Sequence, residues 1–145
     1  MDPSVTLFGP VDTVLGPVIG YVMLGLIVLN MVGRGLEYNR IASQAEAGPE
    51  KISRHPLRVA TNFLLVVGGF YYLTVERHAG LIVTLLVLGV FLSDFFEFEA
   101  RKVESRQGWD IERPWGSIGA SVFALLYIAY QALFFLVRPY WSVVI

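Results

Sequence analysis

The chain has 145 residues, of which 55% are apolar and 16% charged, with a net charge of −1 and a mean hydropathy of +0.61. Soluble domains carry about 25% charged residues, so this composition excludes a water-soluble globule and a disordered chain, and the near-zero charge excludes a nucleic-acid binder. The absence of cysteine removes disulfide scaffolds, thiol redox chemistry and thiolate-held metals. What is left is an integral membrane protein of about one domain's length.

Four stretches carry the organisation. A helix needs about 20 apolar residues, within a range of about 17–25, to cross roughly 30 Å of hydrocarbon. Residues 14–33 run for 20 positions without a charge, with Pro10 and Pro17 near their start, where proline is tolerated or kinks a helix mildly. They predict a span over about 13–33, continued by an amphipathic stub over 36–47 that stops at Gly48-Pro49. A secretory signal would need a positive start and a small-residue cleavage site. Residues 1–13 hold Asp2 and Asp12 and no basic residue, so this helix is expected to be retained.

Residues 59–75 give 17 uncharged positions, and Pro56 and Leu57 extend them to a second span at 57–75. Residues 79–93 give 15, continuing past Asp94 through Phe95, Phe96 and Phe98. They predict a third span at 79–98 that projects onward to Gly108, with Glu97 and Arg101 in the favourable i,i+4 order. Residues 115–137 are 23 uncharged positions and form the fourth span. Pro114 suits its first turn, Arg138-Pro139 is its expected end, and Tyr140-Trp141 form an interfacial anchor, with Trp109 and Trp115 at the opposite interface. None of these runs has the period of two that a barrel strand requires.

Nine of the eleven basic residues fall in residues 34–58 and 99–114. One, Arg77, lies in the turn at 76–78, and one, Arg138, lies in the tail. The positive-inside rule puts both long loops in the cytoplasm. The expected fold is an all-α, four-helix transmembrane bundle in a cytoplasmic (cell) membrane, with the N-terminus and C-terminus both outside and an extended cytoplasmic end on helix 3.

Ionisable groups at membrane depth are the first functional candidates. Asp94 and Glu97 stand in the last turns of the third span. Asn30, late in the first, and Asn62, early in the second, are expected at similar depth, so these side chains can converge on an ion or proton site at the cytoplasmic mouth. The plainer reading pairs the two carboxylates with Arg101 and Lys102 and leaves the asparagines as interhelical hydrogen bonds. Tyr71, Tyr72, Thr74, Tyr127, Tyr130 and Gln131 give the outer half neutral polar groups, which interfacial packing explains as well as a pocket does. His55, with Arg54 and Arg58, is a candidate lipid-phosphate contact, against the simpler reading of a solvated loop. His55 and His78 lie on opposite sides, so they cannot ligate one haem.

Small residues at packing spacing, Gly16 and Gly20 in the first span and Gly116, Ala120 and Ala124 in the fourth, suit close helix contact within the bundle or with a partner. No catalytic motif is present and no base–nucleophile pair can be built. Neither a catalytic residue, a metal site nor a cofactor is expected. Among known four-helix types, small multidrug exporters need a glutamate in the first helix and quinone-linked thiol oxidoreductases need cysteines. Residues 14–33 lack the first and the chain lacks the second.

Residues 55–106 (HPLRVATNFLL, then ERHAG, then SDFFEFEARKVESR), together with Glu112-Arg113-Pro114, resemble small uncharacterised haloarchaeal four-helix integral membrane proteins. That resemblance is one of style and loop composition and implies no activity. The excess of arginine over lysine, nine to two, agrees with a GC-rich or halophilic source. The expected function is a non-enzymatic membrane subunit. Its partners would be the lipid bilayer and other membrane subunits or itself, with no nucleic acid. The alternative is a small ion or proton-coupled channel or transporter.

Overall fold

The computed structural model describes residues 8–48, 53–110 and 113–144. A short helix, α1 (Pro10–Val14), and a 3-10 turn (Gly16–Val18) lead into α2 (Ile19–Ala47), followed by α3 (Pro56–Val75), α4 (Arg77–Arg106) and α5 (Trp115–Val144). The described residues contain no strand. Four segments, Gly16–Ala47, Pro56–Val75, Arg77–Arg106 and Trp115–Phe134, are long and apolar enough to cross a membrane. The two longer connections, α2–α3 and α4–α5, lie at one end of the bundle (the loop end). The α3–α4 turn lies at the other (the hairpin end).

Proline punctuates the start of the chain more strongly than a mild kink. Pro10 and Pro17 each occupy the first turn of a separate element, because proline lacks the N–H that a continuing helix requires. From Ile19 onward α2 runs unbroken through the charged residues to Ala47, and Gly48 ends it with φ 127. The expected stub is therefore one helix with the first span. At α3, Pro56 takes the first turn and the Nδ1 of His55 accepts the Leu57 N–H at 3.2 Å.

The α3–α4 reversal needs a single linking residue, Glu76, in extended conformation. The Gly80 N–H donates to the Glu76 carbonyl at 2.8 Å. A Cβ on Gly80 would collide with the backbone of Tyr72 and Leu73, so only glycine allows this approach. The expected end of the fourth helix at Arg138-Pro139 is corrected: α5 passes through Pro139 to Val144. Proline removes one intrahelical bond, which long membrane helices absorb through local adjustment.

Each helix commits one stripe to the core. Ile19, Met23 and Ile27 of α2 meet Leu65 and Tyr72 of α3, Val83, Val87 and Val90 of α4, and Ala124 and Ile128 of α5. These positions recur every three or four residues, as one helix face requires. The opposite faces expose Phe63, Leu85, Phe96, Phe123 and Leu126, the arrangement of a protein solvated by lipid. The small residues are used within the bundle. A Cβ on Gly20 would lie 3.7 Å from that of Ala132, and one on Gly16 would lie 3.7 Å from the Tyr71 hydroxyl. Ala124 is buried and Ala120 packs on the core, while Gly116 faces Glu97. At the loop end the extensions of α2 and α4 meet again through Ile41, Ala45 and Phe98.

Candidate functional site

Between these two apolar clusters lies a layer of charge. The buried stripe of α2 continues past Ile27 as Asn30, Arg34, Glu37 and Ile41, that of α4 past Val90 as Asp94, Phe98 and Arg101, and α3 enters with Arg58, Thr61 and Asn62. Asp94 stands about 25 Å along α4 from Arg77 at about 1.5 Å per residue. This is close to the thickness of the hydrocarbon, so the layer sits near the loop-end membrane boundary.

Asp94 is its centre. Its Oδ1 accepts Arg58 Nε at 2.9 Å and Nη2 at 2.7 Å. Its Oδ2 accepts Asn62 Nδ2 at 2.6 Å and the Arg54 guanidinium. A carboxylate offers about four lone-pair sites, and all of them are occupied. Arg58, which is fully buried, donates from Nη1 to both the side-chain oxygen and the carbonyl of Asn30. Asn30 in turn donates to Asn62 Oδ1 and Thr61 Oγ1, each at 2.8 Å, and also accepts Arg34 Nη2 at 3.2 Å. Glu37 of α2 accepts the His55 N–H at 3.0 Å and faces Arg54 Nε at 3.6 Å.

The structure thus joins Asp94, Asn62 and Asn30 by direct hydrogen bonds. Glu97 stands apart: its Oε1 accepts the Ser117 N–H at 3.1 Å, and its buried Oε2 has no partner among the described residues. The expected partners of the carboxylates are corrected. Arg101 pairs with Glu104 at 3.0 Å and Lys102 with Glu99 at 3.3 Å, whereas the cations on Asp94 are Arg54 and Arg58. Arg58 is fully buried and Arg54 is half-buried against Asp94, so these two are not loop cations surrounded by solvent. Arg34, Glu37, Arg54, Arg58 and Thr61 were not legible as members of the layer. For those on helices the signal was the continued three- and four-residue spacing of the core stripe.

Glu97, Arg34, Glu37, Asp94 and Arg101 surround a cavity of about 20 Å³, room for about one water. At the hairpin end a cavity of about 320 Å³ opens between Gly20, Tyr72, Glu76, Gln131 and Arg138. Of the other outer polar groups, Tyr71 donates to Asp12 at 2.7 Å and fastens α1 to α3, and Gln131 donates to Tyr127 at 3.1 Å. His78 is exposed at the hairpin end, far in sequence from His55 at the start of α3. No cluster of metal-ligating side chains occurs among the described residues.

Four apolar spans around a buried ionic layer define a multi-pass membrane protein. The chain belongs to the family described as Domain of unknown function (DUF7313), whose family model matches residues 2–145. No curated protein and no solved structure matches it.

Proposed function

We propose that the chain is a non-enzymatic integral membrane subunit, of a larger membrane complex or of a homo-oligomer, in which the ionic layer locks the helices into one register. The observation that carries this reading is the saturation of Asp94. Its carboxylate takes donors from Arg54, Arg58 and Asn62 and keeps no lone pair for a travelling ion. Buried ion pairs contribute little net stability, and specifying one arrangement is their best-attested use. The distribution of basic residues supports long loops in the cytoplasm and both termini outside a cell membrane. The haloarchaeal resemblance and the arginine excess support an archaeal source. Crosslinking in membranes, followed by gentle solubilisation and native mass measurement, tests the proposal. A defined partner set or a homo-oligomer is expected, and a lone monomer without crosslinked partners contradicts it.

The second reading, a small ion or proton-coupled channel or transporter, is favoured by one observation. Glu97 Oε2 is buried without a hydrogen-bond partner, and Glu97 and Arg34 border a cavity of one-water size beside Asp94. Liposomes loaded with a pH or ion reporter decide it. Flux that is lost in Glu97→Gln and Asp94→Asn supports transport, and equal reporter traces from all three proteins remove it.

A further inference from the structure

The groove between α2 and the start of α5 at the loop end is lined by two cationic groups, Arg113 and Arg34, the latter also bordering the ionic layer. It encloses about 170 Å³, lined by Met31, Arg34, Gly35, Tyr38, Arg113 and Ile118 among others. Two guanidinium groups and no carboxylate line it. The small cavity on the other side of Arg34 contrasts with it, being lined by Glu37, Asp94 and Glu97.

Three features leave these cations available. Arg113 lies over the Tyr38 ring at 5.4 Å and pairs with no carboxylate among the described residues. Arg34 is 5% exposed, donates from Nη2 to Asn30, and its Nε has no hydrogen-bond partner. A Cβ on Gly35 would meet nothing within 4 Å, so the groove stays open beside the helix. Trp109 and Trp115, both exposed at this end, suit the headgroup level of a bilayer. The exposed side chains of Val28, Val32 and Val122 continue an apolar surface along α2 and α5.

We propose that this groove binds an anionic phospholipid, the phosphate held between Arg34 and Arg113 and the acyl chains lying along α2 and α5. Guanidinium groups match phosphate oxygens in pairs, and basic pockets between membrane helices are suited to anionic headgroups. The open side at Gly35 leaves room for the glycerol esterified to that phosphate without displacing a side chain.

Native mass spectrometry of the detergent-solubilised protein with added phosphatidylglycerol or phosphatidylcholine tests the site. Phosphatidylglycerol is expected to stay bound where phosphatidylcholine is lost. Arg113→Gln should weaken retention about fivefold, the equivalent of about 1 kcal/mol for one interfacial arginine. Gly35→Leu, which fills the groove, should abolish it. Both substitutions leave the hydrogen bonds of Asp94 untouched, and an unchanged melting curve shows that each variant keeps the fold. Equal retention of the two lipids, or unchanged phosphatidylglycerol binding in both variants, overturns the proposal. Displacement of the lipid by inorganic phosphate overturns its assignment to a phospholipid.

Discussion

Arg58 makes four hydrogen bonds to two residues on other helices, Asp94 of α4 and Asn30 of α2. Only a planar guanidinium with five N–H donors can do this from one position, because a lysine ammonium is a point donor with three. Arg58→Lys is therefore expected to lower stability by about 1–3 kcal/mol, the cost of a buried polar group left unsatisfied, read as a lower melting temperature in detergent. Glu97 behaves differently. Among the described residues its hydrogen bond is from the Ser117 N–H to Oε1, which an amide oxygen reproduces, and its Oε2 accepts none. What Glu97→Gln removes is the buried charge beside Arg34, and it is expected to lower stability by about 1–3 kcal/mol in the same melting assay. An unchanged melting temperature would show that the Glu97 charge does not hold Arg34 in place.

The α3–α4 pair is set by its turn. With one linking residue, the first turn of α4 must cross the last turn of α3 at backbone distance, and Gly80 is the point of contact. Gly80→Ala is expected to cost about 1–3 kcal/mol through overpacking. Gly89→Ala on the same helix, where a Cβ meets open space, should gain up to about 1 kcal/mol from helix propensity. Denaturant titration of the two variants side by side checks both signs. The spans themselves could be read from uncharged runs because burial in lipid demands apolar outer faces whatever the inside contains. The same ruler hid the interior. Arg34 interrupts the uncharged run at 33 and so reads as the end of a span, yet it continues the face set by Met23, Ile27 and Asn30. Arg58 reads as a loop cation because it lies two residues after Pro56, although it shares a face with Asn62 and Leu65. Asn30, Asn62 and Asp94 could be placed at one depth by counting residues. Their arginine partners could not, because long side chains reach a layer from outside its depth. Gly80 gave no spacing motif, since its role follows from the length of the turn.

At the scale of the whole molecule, two features follow from how charge is distributed. In the proposed orientation the basic loops face the cytoplasm, and the absence of cysteine allows single reporters. His78→Cys at the hairpin end and Gln107→Cys at the loop end, both exposed, are expected to react oppositely with a membrane-impermeant maleimide on intact cells, His78→Cys labelled and Gln107→Cys protected. Reversed labelling would contradict the proposed orientation. The ionic layer then couples the helices, since α2 and α4 meet through Arg58 and both are tied to α3. The most direct test of this coupling is a double-mutant cycle on Arg58→Leu and Asp94→Leu, with unfolding free energies measured in detergent. Each single change leaves a buried charge and is expected to cost about 3–5 kcal/mol, and the double variant should cost clearly less than the sum of the two. Additive losses, or single variants as stable as the parent, would contradict the account of Asp94 as the lock of the bundle.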